Sequence, residues 1–522
     1  MSSLIKTSLI APFICSLIIA QSYDVVLEKK TGHNGWTSGW GTAYVVKNDI
    51  VTVAIVPELG GRVMQYDLGS HQSIYVHNGN QVPSSGNDLV GGFRVLPSPQ
   101  SDFVWPSPPN LDFNPYTCTE LVNSTDSVVI YLESRIEDSN DPKYATHKGL
   151  QFKRTITLYK ASTRVKVDMT MLNKGTQTVE HGIWDITQSG CKAGSDYWIY
   201  FERNPSSNLG GAKGYVQYIH EGTDATQWKP DVAQGNIMGV QYLKKVGKIG
   251  ADCKAGWIGF VDRTNGYAYV KTFTYQENKT YPDSGASVQV YTYQDYDLVE
   301  VEVLGPLEQL SPNDSVKLEE NWYATRSSGP ILSVNSAGLI TKHLAAEQTE
   351  DTLNLTGNFG LFYPGIVRAV FTDSSGGQIG IADSITVSPI DSLVLTKKYQ
   401  ILPGAINLYL ESFDNSGRSV GILDSVKIPS PLPITRAGKY KAIQSHKTQF
   451  TVNCKYGKLY LDISCNGSYR LNLFSIQGKL LGSLIGDGPC FRTITVPWNA
   501  AGLFVVHIEY AGRKEQKTVI LN

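Results

Sequence analysis

Apolar and polar residues alternate with a period of two along most of this chain. The stretches "TAYVVKNDIVTVAIV", "DSVVIYLESRI", "LQFKRTITLYK", "TRVKVDMTMLN", "YAYVKTFTY", "ASVQVYTY" and "LVEVEVLG" all show it, bounded by Gly, Asn, Asp or Pro. Such alternation predicts half-buried β-strands. Their number and length between residues 23 and 326 predict one large antiparallel β-sandwich rather than several small domains. Residues 327–434 change texture. "GLFYPGIVRAVFTDSSGGQIGIADSITV" and "AINLYLESFDNSGRSVGILDSVKI" each read as strand, turn, strand, which predicts a small immunoglobulin-like sandwich. The prolines of "IPSPLPITRAG" then predict an extended linker. Residues 440–522 end the chain with two further hairpins, "YRLNLFSIQGKLLGSLI" and "AGLFVVHIEYAGRKEQKTVILN". The predicted fold class is all-β throughout.

Composition agrees and narrows the chemistry. The chain has 522 residues, with 29 Tyr and 49 Gly against 5 Met, a balance that suits strands and turns. A formal net charge of −1 with 18% charged residues leaves no field for nucleic acid or an anionic membrane. Residues 1–22 read as a secretory signal, with Lys6 ahead of an apolar run and Ala20-Gln21-Ser22 at a cleavage site. That run is too short for a membrane span, and no other apolar run approaches 18 residues, so no transmembrane span is predicted. Beyond Cys15 six cysteines remain: Cys118, Cys191, Cys253, Cys454, Cys465 and Cys490. They leave room for one or two bridges outside the cytoplasm, but three in the first block and three in the last leave one unpaired in each unless bridges cross. With no CxxC, HExxH, GxSxG, P-loop or dinucleotide fingerprint, neither a metal nor a cofactor is expected.

Candidate chemistry gathers in the first block. "IVPELGGRVMQYDLGSHQSIYVHN" (55–78) reads as a strand, a Gly-Gly tip and a second strand opening on Arg62. Paired glycines serve a tight turn, or they let a flat ligand approach the backbone. "VGGFRVLPSPQSDFVWPSPPN" repeats the Gly-Gly before Arg94 and carries Trp105. "NKGTQTVEHGIWDITQSG" puts His181, Trp184, Asp185 and Gln188 on one strand; "KIGADCKAGWIGF" adds Lys248 and Trp257; residues 281–326 add Asp283, Glu300, Glu302 and Trp322.

Four motifs in order, at 57–62, 91–100, 183–188 and 281–285, resemble an uncharacterised bacterial family of the galactose mutarotase-like superfamily. That resemblance implies a large β-supersandwich and a carbohydrate ligand. In epimerases of the superfamily a carboxylate takes the anomeric proton while a histidine protonates the ring oxygen. The glutamate lies on a late strand, where Glu300 and Glu302 stand here and alternation sends both to one face. At the histidine's place this chain has "GIWDITQ", so the expected acid is Asp185 or His181. Sugars stack on aromatic rings and need bidentate polar partners. Trp105, Trp184, Trp257 and Trp322 are the candidate platforms, and Arg62, Arg94, Asp185, Gln188 and Asp283 the candidate forks. An arginine close behind Gly-Gly, twice, implies that the hairpin tip borders a carbohydrate-sized cleft. Epimerase, lyase and hydrolase activity stay open, beside a pure glycan-binding protein and a structural cell-surface protein with no small ligand. The last 80 or so residues resemble the C-terminal sorting module of bacterial type IX secretion, on "LFSIQGKLL" and "GLFVVHIEYAGRKEQKTVILN". That implies export across an outer membrane, the secretion machinery as a partner, and a secreted or cell-surface location.

Overall fold

The computed structural model describes residues 22–429 apart from 78, 80–81, 83–88, 104, 193 and 219–222, and residues 450–521 apart from 456–457, 476–479, 496–501 and 511–512. The expected signal segment and most of the expected linker lie outside the described residues. Nearly every described element is an antiparallel strand. Among the described residues a twelve-stranded and a ten-stranded sheet account for the first block. They pack face to face over one core, to which Phe93, Val95, Ile183, Val299, Val301 and Val303 come from the first sheet and Ile156, Val167, Met169 and Tyr269 from the second. Full burial stabilises each such side chain by about 1.5–3 kcal/mol. The all-β sandwich expected from the alternation is therefore what the chain forms.

The strand Leu298–Leu304 shows how the pattern works. Its three inward valines enter that core, while Glu300 and Glu302 point to the outer face of the twelve-stranded sheet. All seven residues are nevertheless buried, and on the outer face Phe103 and Tyr144, from loops beyond the sheet, pack against Leu304 and Trp184. Leu96, Phe103, Tyr144, Trp184, Ile186 and Leu304 form a second, smaller apolar cluster there.

Two four-stranded sheets follow, between Ser333 and Lys427, with their own core of Leu353, Leu355, Phe359, Val367, Leu408 and Leu410. They are fastened to the first sandwich by an apolar joint in which Trp198, Tyr200, Trp257 and Tyr323 meet Ile331, Leu339 and Phe362. Backbone bonds from Arg326 N to Pro389 O (2.8 Å) and Thr163 N to Phe362 O (3.0 Å) complete it. The C-terminal unit, by itself, is a five-stranded sheet over Leu459, Leu461, Ile463, Leu471, Val506 and Ile508. Cys118, Cys191, Cys253 and Cys490 are all free thiols, so the room left for a bridge within the first block is not used. Among the described residues no helix is long and apolar enough to cross a membrane.

Candidate functional site

Register assembles the site. On the outer face of the twelve-stranded sheet, residues directly opposite one another across neighbouring strands form rungs. One runs Tyr218, Lys248, Tyr291, Glu300, Gln188 across five strands. The next runs Gly250, Gln289, Glu302, Ile186, Arg94. Directly paired side chains share a face, so Arg94, Trp184, Gln188, Lys248, Glu300 and Glu302 gather on one side. Asp185, one residue out of phase, faces the opposite way.

Beside these rungs lies a cleft of about 450 Å³ lined by Gln100, Ser101, Phe103, Trp105, Tyr218, Lys248, Asp283 and Gln289. Trp105 is 36% exposed, stands edge-on to Phe103 at 5.5 Å, and has the Arg94 guanidinium 4.9 Å from its ring centre. Asp283 is held by Gln289 Nε2, which donates to its Oδ2 at 2.7 Å, while Tyr218 Oη donates to its backbone oxygen at 2.6 Å. Among the described residues Lys248 is the one cation lining the cleft. Its Nζ lies 3.3 Å from Glu302 Oε2 and 4.7 Å from the centre of the Trp184 ring. Trp184 Nε1 donates to the same carboxylate oxygen at 2.7 Å. Burial pushes the Glu302 pKa up to about 7, against the pull of Lys248. Glu302 is fully buried and does not itself line the cleft, to which Lys248 connects it. Glu300, also buried, accepts from Gln188 Nε2 at 2.8 Å and Tyr293 Oη at 3.3 Å.

The expected acid partners are not in this assembly. Asp185 sits in the core between the sheets, ion-paired to Lys271 of the opposite sheet, so it cannot serve a ligand on the outer face. His181 is sealed. Its Nε2 faces Thr146 O at 3.0 Å, its Nδ1 faces Ser98 O at 3.3 Å, and its ring stacks on His147 at 4.8 Å. Two platform assignments are corrected as well. Trp257 belongs to the joint with the four-stranded sheets, and Trp322 fills the inter-sheet core, donating to Glu320 at 2.9 Å.

Arg62 is the clearest correction, and it answers why the hairpin tip carries two glycines and an arginine. Arg62 is 2% exposed, donates to Gly91 O at 2.9 Å and pairs with Asp112 at 3.0 Å. Arg94 reaches the other oxygen of Asp112 at 3.3 Å, Ser107 Oγ donates to it, and Arg154 donates to Gly60 O. The tip meets the protein's own backbone, not a ligand. A Cβ on Gly60 would stand 1.8 Å from Asp112 O, and one on Gly91 2.0 Å from Tyr75 O. Gly60 also has φ +63°. Gly60→Ala is therefore expected to cost about 2 kcal/mol or more, the left-handed penalty of about 1–2 kcal/mol plus displaced backbone. Gly69→Ala, at φ +60° with nothing within 4 Å of its Cβ, carries the conformational penalty alone. Urea midpoints of the two variants check this; equal losses would mean the tip is not closely packed.

Lys271, Asp112 and the ring of Tyr218 escaped the sequence reading. Lys271 alone had a signal: it stands at an inward position of "YAYVKTFTY", where a charge requires a buried partner.

No family model matches the chain, and no curated protein does. Solved structures to which it is similar include a galactose mutarotase-like protein from Clostridium acetobutylicum, at 11% identity, covering 58% of this chain and 99% of that one, with a TM-score of 0.37. A galactose mutarotase-like protein from Lactobacillus casei aligns at 9% identity over 54% of this chain and 99% of its own, TM-score 0.36. A galactose mutarotase related enzyme from Lactobacillus acidophilus aligns at 9% identity over 55% and 98%, TM-score 0.34.

Proposed function

We propose that this protein binds carbohydrate in the cleft beside Trp105. The observation that carries the reading is the lining itself: a partly exposed indole next to amide, carboxylate, hydroxyl and ammonium groups in one cleft of about 450 Å³. Pyranoses offer an apolar C–H face for stacking and a rim of hydroxyls for such partners. The surface the cleft presents is mostly apolar with a few polar groups set into it, the mix that stacks a C–H face and orients hydroxyls. Binding is favoured over turnover because Glu300, Glu302, Asp185 and His181 are all buried and already engaged by protein groups.

One observation supports a second reading, sugar turnover. Glu302, its pKa pushed up to about 7 by burial, touches the cleft's only described cation, and a group of that pKa suits proton transfer near neutrality. A glycan array probed with the full chain tests binding. Trp105→Ala is expected to weaken the interaction by about 2 kcal/mol, roughly thirtyfold. NMR of the bound sugar then reports anomer exchange or cleavage if turnover occurs. Retention of no glycan by the wild-type chain would overturn both readings and leave a structural protein without a small ligand.

A further inference from the structure

A row of aromatic rings leads from the neighbourhood of the cleft to a second cavity. From Tyr218 and Lys248 the outer-face rung continues through Tyr291 and Glu300 to Gln188. Neighbouring strands lie about 4.8 Å apart, so the four spacings of this rung cover about 19 Å, several times the width of one sugar ring. Aromatic rings accompany it. Tyr291 packs edge-on to Tyr293 at 4.5 Å, Tyr293 lies 5.8 Å from Tyr296, and Tyr296 meets His77 edge-on at 5.5 Å. His77 stacks on Tyr75 at 6.0 Å and accepts or donates a 2.9 Å hydrogen bond at its hydroxyl. Tyr75 N donates to Gln188 O at 2.8 Å, which places this segment at the far end of the rung. There Tyr75 borders a second cavity of about 510 Å³, lined also by Asn34, Trp36, Gln72 and Tyr197.

We propose that the ligand is a glycan chain rather than a free monosaccharide, lying across the strands from the Trp105 cleft along the tyrosine row to the Tyr75 cavity. The proposal rests on the carbohydrate reading of the cleft and names the class of carbohydrate. Glu300 and Gln188 are buried, so the contact surface is the aromatic row itself, in which Tyr75, His77, Tyr291 and Tyr293 are partly exposed and Tyr296 is exposed, and pyranose faces stack on such rings. Tyrosines supply that surface at low conformational cost, because each has only two side-chain torsions to fix. Tyr296, 36% exposed at the turn between the strands Val288–Thr292 and Leu298–Leu304, is the most accessible ring of the row, and His77 is half-buried. Neither lines the Trp105 cleft.

The test is calorimetric titration of the full chain with glucose, galactose, mannose and xylose, and with linear hexasaccharides of each. At least one hexasaccharide is expected to bind about tenfold or more tighter than its monomer, a gain of about 1.4 kcal/mol. Tyr296→Ala and His77→Ala should each shrink that gain at least threefold while leaving the monomer Kd unchanged. Trp105→Ala should weaken both ligands. Monomer binding with no gain from chain length, or a gain that neither variant touches, would overturn the chain proposal and leave the carbohydrate reading intact. Absence of binding to every sugar would overturn the carbohydrate reading, and the chain proposal with it.

Discussion

Asp112→Ala is expected to destabilise the first sandwich by about 3–5 kcal/mol, the usual cost of stripping one partner from a buried ion pair. Asp112 is 1% exposed and divides its two oxygens between Arg62 at 3.0 Å and Arg94 at 3.3 Å, with Arg154 close by on Gly60 O. All three arginines are themselves buried. Without the carboxylate they repel one another where little water is available to screen them. The loss should extend to function, because Arg94 is both a partner of Asp112 and the cation against Trp105.

The pH dependence follows from the direction of the shift. Burial alone would raise the Asp112 pKa, but Arg94 and Arg62 outweigh it and hold it below the ordinary carboxylate value. A depressed native pKa means that the wild-type advantage is full above about pH 4 and fades as the pH falls through that native value. Urea unfolding of wild type and Asp112→Ala at neutral and acid pH measures the difference. A loss below about 1 kcal/mol at pH 7 would show that the cluster does not hold the hairpin tip.

How much of this was legible beforehand depends on what alternation encodes. "LVEVEVLG" announces a strand and puts Glu300 and Glu302 on one side, as found. "GIWDITQ" likewise separates Trp184 and Gln188 from Asp185 by phase. What it does not encode is which phase faces the other sheet, since Ile183 and Ile186 make both sides apolar. The outer face is itself buried by loops, so the polarity contrast that normally marks a solvent side is missing. Assigning Asp185 to the ligand side was an error of that kind. Arg62 failed for another reason. Its partner Asp112 lies 50 residues away at the end of a one-turn helix, Pro109–Asp112, and no periodicity reports such a pairing. The Gly-Gly tip, expected to border a ligand cleft, meets the backbone of Asp112 instead.

Lys271→Met is the second large effect, expected at about 3–5 kcal/mol near pH 8. Lys271, Asp185 and Glu320 are all fully buried between the two large sheets. The ammonium pairs with Asp185 and lies 3.5 Å from Glu320, while Val303 N donates to Asp185 at 3.1 Å and Trp322 Nε1 to Glu320 at 2.9 Å. Two carboxyls and one ammonium balance when one carboxyl keeps its proton. Burial and then the charge of Glu320 do hold the Asp185 pKa well above the ordinary value. Methionine fills the volume without supplying charge, so the two buried carboxyls lose their shared cation. The Asp185 pKa already lies above its unfolded value and loses the ammonium that pulls it down, so the native state binds more protons and the variant's stability falls as the pH rises. The loss should therefore be smaller at pH 5 than at pH 8. Adding Glu320→Gln to Lys271→Met removes one of the two acids and should recover part of the stability, most of all at pH 8. A loss independent of pH and untouched by that second change would mean that Lys271 acts by packing alone; a loss that grows with pH and is partly rescued identifies charge balance between the sheets as what its ammonium supplies.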